Sequence, residues 1–306
     1  MPRCADAPRS PPARAILAWE VSACERIEFV QATLGRCGLA AHFHDVWSIG
    51  LILRGSCHFT SGGVDHLAPA GSVFILPPYE VHACRAADAE TAYAVLYVEA
   101  EAMSALAQRL AAQVTAEPRQ RVWLPTTPLQ ALFSQAIALR DTTAARCWLA
   151  ALEQALAGPA TPAASSPNTR AIGHKTPALH PLQALLHQHW AEPIDLRALE
   201  ASLPRSRWHS IRTFRQATGL TPGAYLRQLR VQKSRRQLAA AASLADLAAA
   251  LGFADQAHFT RAFKQVYGVT PGRLRGLRRP GPGPCQVLTP TTASAPTAAA
   301  PRPSAG

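Results

Sequence analysis

Residues 243–275 read SLADLAAALGFADQAHFTRAFKQVYGVTPGRLR, and the reading of the whole chain works outward from them. Ser243 with Asp246 three positions on forms an N-terminal capping pattern, and Leu244, Leu247, Ala248 and Leu251 then recur with the period of a helix that buries one face. Gly252 ends that helix. Asp255 is a good N-cap for a second helix, which buries Phe259, Phe263 and Val266 and stops at Gly268. Gln256, Thr260, Arg261 and Lys264 fall on its other side. Two short helices joined by a tight Gly-containing turn, the second with donors on its open face, form the geometry that lays a helix in a DNA major groove. Thr270 and Pro271 start a third helix, because Pro suits the first helical position.

The pattern occurs twice. Phe214-RQATG-L-TPG and Phe263-KQVYG-V-TPG align at a constant offset of 49 residues, which superposes Arg212 on Arg261 and Gly219 on Gly268. In the first unit Asp195 caps a helix bearing Leu196 and Leu199, and Ser206 caps RWHSIRTFRQATG. Pro222 to about residue 241, with Tyr225, Leu226, Leu229 and Leu238 on its apolar side, reads as a rigid helix joining the units. Two such readers about 34 Å apart would enter successive major grooves and span roughly 15 to 20 base pairs.

Charge follows the motif. Residues 178–280 hold 16 Lys and Arg against 5 Asp and Glu, whereas residues 1–177 hold 14 of each, so most of the formal +12 lies beside the paired units, as phosphate neutralisation requires. The seven cysteines are scattered without a C-x-x-C pair or zinc spacing, which predicts free thiols in a reducing cytoplasm. No apolar run of spanning length and no signal-peptide core occurs, so a cytoplasmic protein without a membrane partner is expected.

Residues 1–15 are rich in Pro, Ala and Arg and read as disordered. From about residue 26 to 98 the texture is β. Short runs (IEFVQATL, WSIGLILRG, SCHFTS, SVFILP, AYAVLYVE) are separated by turn signals such as Ser61-Gly62-Gly63, which favours a small barrel or sandwich. Residues 101–112, about 127–140 and 143–157 read as helices, with apolar stripes through Leu129, Leu132 and Phe133 and through Trp148, Leu149 and Leu152. Residues 158–178 form a Pro, Ala, Ser and Thr linker, and residues 277–306 a disordered tail.

Gly252-Phe253-x-Asp255-Gln256-x-His258-Phe259-x-Arg261-x-Phe263-Lys264, followed by Gly268-x-Thr270-Pro271, closely resembles the C-terminal signature of AraC/XylS-type transcription regulators. In the β region, His42-x-His44, Gly55, Pro69-x-Gly71 and Pro77-Pro78-Tyr79-Glu80-x-His82 resemble the cupin-type sensor domain at the N-terminus of many such regulators. The resemblance implies a multidomain α and β protein. A cupin-like jelly-roll barrel would occupy residues 16–100, a helical and dimerisation segment 101–157, and an all-α domain with two helix-turn-helix units 179–276; the helices of 101–157 could equally serve only to cover the open face of the barrel. It also implies that Gln256, Thr260 and Arg261 read base edges in the second unit, and Trp208, Ile211 and Arg212 in the first. Arginine pairs bidentately with guanine and glutamine with adenine. Lys264, Arg215, Arg207 and the run Lys233, Arg235, Arg236 would touch phosphate or solvent. The first unit departs from the family at Pro204, Arg205 and Ser210, where Gly, an apolar residue and a buried Leu are usual, and this loosens its core.

Three readings of the histidines stay open. His42, His44, Trp47 and His82 could line the mouth of an effector pocket; His42, His44 and His82 could hold a divalent metal; or the histidines could simply bond backbone at strand ends. The usual cupin carboxylate a few residues past the second His is missing, since Val46, Trp47, Ser48 and Ile49 follow Asp45. The expectation is therefore a regulator without catalytic residues, resident metal or cofactor. Its expected partners are double-stranded DNA, a small-molecule effector, a second copy of the chain in a homodimer, and RNA polymerase. The alternatives are a metal-dependent cupin enzyme fused to a DNA-binding module, and a regulator whose barrel has lost ligand binding and serves only for dimerisation.

Overall fold

The computed structural model describes residues 16–24, 27–35, 38–99, 122–125, 130–136, 147–148, 150–152, 154, 160–162, 181–191 and 207–278. The disorder expected at 1–15, the helix at 101–112, and Asp195, Leu196, Leu199, Pro204, Arg205 and Ser206 lie outside them, as does the tail expected to be disordered at 277–306 except for Leu277 and Arg278, which are helical.

The N-terminal half is two antiparallel sheets facing one another. The larger has the order β1 (Ile16–Cys24), β2 (Ile27–Gly35), β9 (Glu90–Val98), β4 (Trp47–Arg54), β7 (Val73–Leu76), β10 (Val122–Pro125), β11 (Ala160–Pro162). The smaller runs β3 (Leu39–His42), β8 (His82–Ala86), β5 (Ser56–Ser61), β6 (Val64–Pro69). The alternation in SCHFTS and VDHLAP has its expected consequence, with Cys57, Phe59 and Ser61 of β5 and Val64, His66 and Ala68 of β6 buried on one face. Gly62 and Gly63, both at positive φ, close this hairpin as a two-residue loop whose backbone twist matches the flanking strands. β4 is instead buried on both faces along most of its length. Inside the stretch read as linker, Ala160–Pro162 pairs with β10, so the sheet extends into it.

Part of the helical segment covers the large sheet. α1 (Gln130–Ala136) places Phe133 6.3 Å from Phe29 of β2, and Trp148 stacks edge-on against Phe133 while its indole N–H donates to the Leu132 carbonyl at 2.6 Å.

The C-terminal half contains α2 (Pro181–Gln188), α3 (Arg207–Thr218), α4 (Pro222–Gln237), α5 (Leu244–Ala250), α6 (Gln256–Tyr267) and α7 (Pro271–Arg278). The caps are those the residues predict. Ser243 Oγ accepts the Asp246 N–H at 3.0 Å, Asp255 Oδ1 accepts the His258 N–H at 2.6 Å, and Thr221 caps α4 ahead of Pro222. Gly268 ends α6 in the left-handed region, at φ 70°.

The two halves do not keep separate cores. Val231, Leu238, Leu247, Phe259, Phe263 and Val266 share one hydrophobic cluster with barrel residues such as Val30, Leu76 and Tyr97. Phe43 of the barrel belongs to the core of the first helix-turn-helix unit, with Leu182, Leu186, Phe214, Tyr225 and Leu229. α4 lies at this junction and buries Gln232, Ser234 and Arg235 in addition to its apolar residues. Lys233 and Arg235 therefore turn to the barrel rather than to phosphate, while Arg236, about half exposed, reaches barrel carboxylates from the surface. Arg235 forms a buried ion pair with Glu28, Lys233 lies 3.8 Å from Asp45, and Arg236 lies 4.0 Å from Asp45 and 3.5 Å from Glu99.

Candidate effector cavity and nucleic-acid interface

Between the sheets lies a cavity of about 540 Å³, counting its open mouth. Its body is apolar, with Leu34, Ile52, Phe59 and Phe74, and its polar end carries the three histidines. Phe74 reaches into the wall because the facing residue of β4 is Gly50, where a Cβ would sit 1.8 Å from the ring.

His42, His44 and His82 converge as their pattern suggested. His42 and His82 ring centroids are 4.2 Å apart, His42 and His44 5.0 Å. His42 Nδ1 lies 2.7 Å from the Ala40 carbonyl and His82 Nδ1 2.9 Å from the Glu80 carbonyl. A carbonyl only accepts, so both Nδ1 atoms carry the proton and both Nε2 atoms keep a lone pair. His44 Nε2 is 3.4 Å from the Tyr97 hydroxyl, while its Nδ1 is buried without a hydrogen-bond partner. Burial pushes the His42 pKa down to about 4 and holds those of His44 and His82 well below the usual value, helped by the charge of neighbouring rings.

Three neutral imidazoles with candidate ligand atoms within 4.8 Å of one another suit a divalent transition metal, and backbone carbonyls holding the far ring nitrogens are the usual support of such ligands. No carboxylate joins the cluster among the described residues, and Glu80 instead accepts from Ser61 Oγ at 2.9 Å. The same three groups serve equally as hydrogen-bond partners for an organic ligand.

Trp47 does not line the cavity. Side chains alternate along β4, so Ser48 and Ile52 face inward and Trp47 is buried on the opposite face. The cavity also takes residues that sequence reasoning passed over: Tyr93, Tyr97, Cys57 and Cys84. The signal for the tyrosines was the i, i+2, i+4 spacing of Tyr93, Val95 and Tyr97 in β9. A hydrogen bond to Cys84, then burial, raises the Cys57 thiol well above its ordinary pKa, so Cys57 is held as a thiol.

In the second helix-turn-helix unit, α6 sets Phe259, Phe263 and Val266 into the core and leaves Gln256, Arg261 and Lys264 exposed, with Thr260 half-buried. In the first, α3 buries Phe214 and Ser210 and exposes Trp208, Arg212 and Arg215, with Ile211 half-buried. Trp208 is 78% exposed, unusual for an indole in a folded domain. The side chain of Arg207 lies outside the described residues.

A sheet-lined cavity joined to a helical half in which α5 and α6 form a helix-turn-helix, and α3 has an open polar face of its own, defines a class of two-part, ligand-binding and DNA-binding proteins. Residues 36–157 match the AraC-like ligand binding domain family and residues 199–276 a helix-turn-helix domain family. The chain belongs to the AraC/XylS family of transcription regulators. It is 35% identical over 98 residues to the HTH-type transcriptional activator RhaS of Escherichia coli (strain SE11), covering 32% of this chain and 35% of that protein. It thus spans about a third of the length of the first curated relatives it matches. A longer match, 23% identical over 71% of this chain and 80% of its counterpart, is to the HTH-type transcriptional regulator YbfI of Bacillus subtilis (strain 168). The fold is similar to that of apo ToxT from Vibrio cholerae strain SCE256, with a TM-score of 0.51 at 14% identity over 81% of this chain and 97% of that one. No described helix is long and apolar enough to cross a membrane.

Proposed function

We propose that this chain is a sequence-specific, double-stranded-DNA-binding transcription regulator whose barrel cavity takes a small effector. The observation that carries the reading is the capped helix α6, anchored by Phe259 and Phe263 and open to solvent along Gln256, Arg261 and Lys264. Gln256, Thr260 and Arg261 read base edges, with Trp208, Ile211 and Arg212 as their counterparts in α3; Lys264 and Arg215 neutralise phosphate. His42, His44 and His82 contact the effector. ToxT has been solved with an unsaturated fatty acid bound. Here the aliphatic and aromatic lining suits an apolar body, and neutral imidazoles with Tyr93 and Tyr97 suit a polar, uncharged head. The chain acts in the cytoplasm as a homodimer through the segment 101–157 and engages RNA polymerase at its promoter.

Selecting bound duplexes from random DNA with the full-length chain tests this reading. A defined bipartite motif is expected; recovery of unenriched sequence rejects it. Thermal-shift screening of small molecules tests the cavity, because a ligand at 100 times its dissociation constant adds about 2.7 kcal/mol of stability.

The convergence of three neutral histidines favours one second reading, a metal-dependent enzyme fused to a DNA-binding module. His42, His44 and His82 would hold the metal, which would act as a Lewis acid when bound. Elemental analysis of the purified chain, with His82→Ala as control, separates the two. Stoichiometric metal lost in the variant supports the second reading, and its absence at saturating zinc removes it.

A further inference from the structure

The short stretch Ala41–His44, at the end of β3, faces two ways. His42 and His44 line the cavity. Phe43, between them, points out of the barrel and is fully buried in the core of the first helix-turn-helix unit, its ring 4.6 Å from that of Tyr225. His42 ends β3, and the chain just past it turns Phe43 away from the cavity that His42 and His44, on either side of it, line.

The backbone of the same stretch is bonded to the helix joining the two units. Gln228 Nε2 donates to the Ala41 carbonyl at 2.9 Å, the Phe43 N–H donates to Gln228 Oε1 at 3.3 Å, and Gln232 Nε2 donates to the Phe43 carbonyl at 2.6 Å. Gln232 is fully buried, and its other end accepts from the Tyr267 hydroxyl at 2.7 Å. Tyr267 is the last residue of α6, and its ring lies 5.6 Å from the His44 ring. The Arg235 guanidinium sits over the rings of Tyr97 in the barrel and Tyr267 in α6, at 4.6 and 5.7 Å, while paired with Glu28. None of this covers Gln256, Arg261, Lys264, Arg212 or Arg215, so the docked barrel braces the readers without hiding them.

We propose that Ala41–His44 is a shared wall that couples occupancy of the barrel cavity to both DNA-reading helices, to α3 through Phe43 and to α6 through Gln232 and Tyr267. The proposal rests on the reading of the barrel as an effector site and of α3 and α6 as DNA readers. An occupant that moves His42 or His44 moves the peptide units at Phe43, because close-packed cores and fully satisfied buried hydrogen bonds shift together rather than absorb a displacement. Tyr267 and Gln232 are positioning residues. Coupling between sites is reciprocal, so engagement of DNA by the readers must alter the cavity wall in turn.

Hydrogen exchange of the full-length chain, resolved by peptide, tests the coupling in two arms. Without DNA, Tyr267→Phe keeps the ring and deletes one hydroxyl, and exchange should accelerate about tenfold at residues 39–44, the size of one lost hydrogen bond. Gln228→Ala should do the same at 39–44 from the α4 side. Acceleration confined to 256–267 in the first variant, or to 222–237 in the second, overturns the proposal. With a duplex from the selection experiment, the wild-type chain should change exchange at 39–44 and 82–86 as well as in α3 and α6, and Tyr267→Phe should reduce the distant change at least threefold. Bound DNA with no change in the wild-type barrel also overturns it. If no duplex is bound at all, the reading of function fails, while the DNA-free arm still decides whether the wall couples the halves.

Discussion

Arg261 is exposed on a well-formed helix whose core is Phe259, Phe263 and Val266, while Arg212 stands on a helix whose buried positions include Ser210 where a larger apolar side chain would pack. A bidentate arginine contact contributes about 1 to 3 kcal/mol of discrimination only if its helix holds the guanidinium still. Arg261→Ala should therefore abolish sequence-specific binding in a gel-shift titration at fixed salt, and Arg212→Ala should cost less. Equal losses would refute that ranking. The cavity histidines set a pH dependence. Burial lowers the His42 pKa from 6.5 to about 4, so between these values the unfolded chain takes up a proton that the folded chain refuses. Stability falls as pH drops through this window and levels off below it, by about 3 kcal/mol for His42 alone. Urea melts of metal-free protein at pH 7 and pH 4.5 measure the fall, and His42→Gln should reduce it without removing it, because buried His44 and His82 remain.

Among the elements, β4 and α6 were legible to different depths. α6 announces itself in one dimension, since Asp255, the apolar spacing and Gly268 are local signals and all act locally in the fold. β4 is buried on both faces, so polarity gives no cue to which side meets the cavity, and Trp47 was read as a lining residue when Ser48 is. Alternation in β9 did carry the cue for Tyr93 and Tyr97. Gly50 is the position where β4 is least tolerant: a methyl there collides with Phe74, which must leave the wall. Gly50→Ala should destabilise the chain by about 1 to 3 kcal/mol, the cost of overpacking, and should weaken whatever ligand thermal-shift screening finds. An unchanged urea midpoint would contradict this.

At the scale of the whole molecule, the basic C-terminal half uses its charge in two ways. Lys264 lies on the open face of α6, and its replacement by Ala should reduce the slope of log affinity against log salt by about one. Lys233 is turned toward Asp45, so Lys233→Ala should leave that slope unchanged while lowering stability. Similar slopes for the two variants would place Lys233 on DNA and undo the docked arrangement. Composition alone cannot separate these lysines, because net charge says how much phosphate a region could neutralise and not which side chains are already facing carboxylates.

What the sequence determined by itself is the second helix-turn-helix unit, with its caps at Ser243, Asp255 and Gly268 and the open side of α6, because these follow from spacing within one element; the histidine motif likewise picked out His42, His44 and His82 as a group. The tertiary structure alone decided that the two halves share a core, that Phe43 belongs to the first helix-turn-helix unit, and that Gln232 and Arg235 on α4 face the barrel. The Gln232 and Arg235 contacts join residues 189 and 207 positions apart, where no local period records the partner. Buried polar side chains on a helix look, in one dimension, the same as solvated ones until a second surface closes over them.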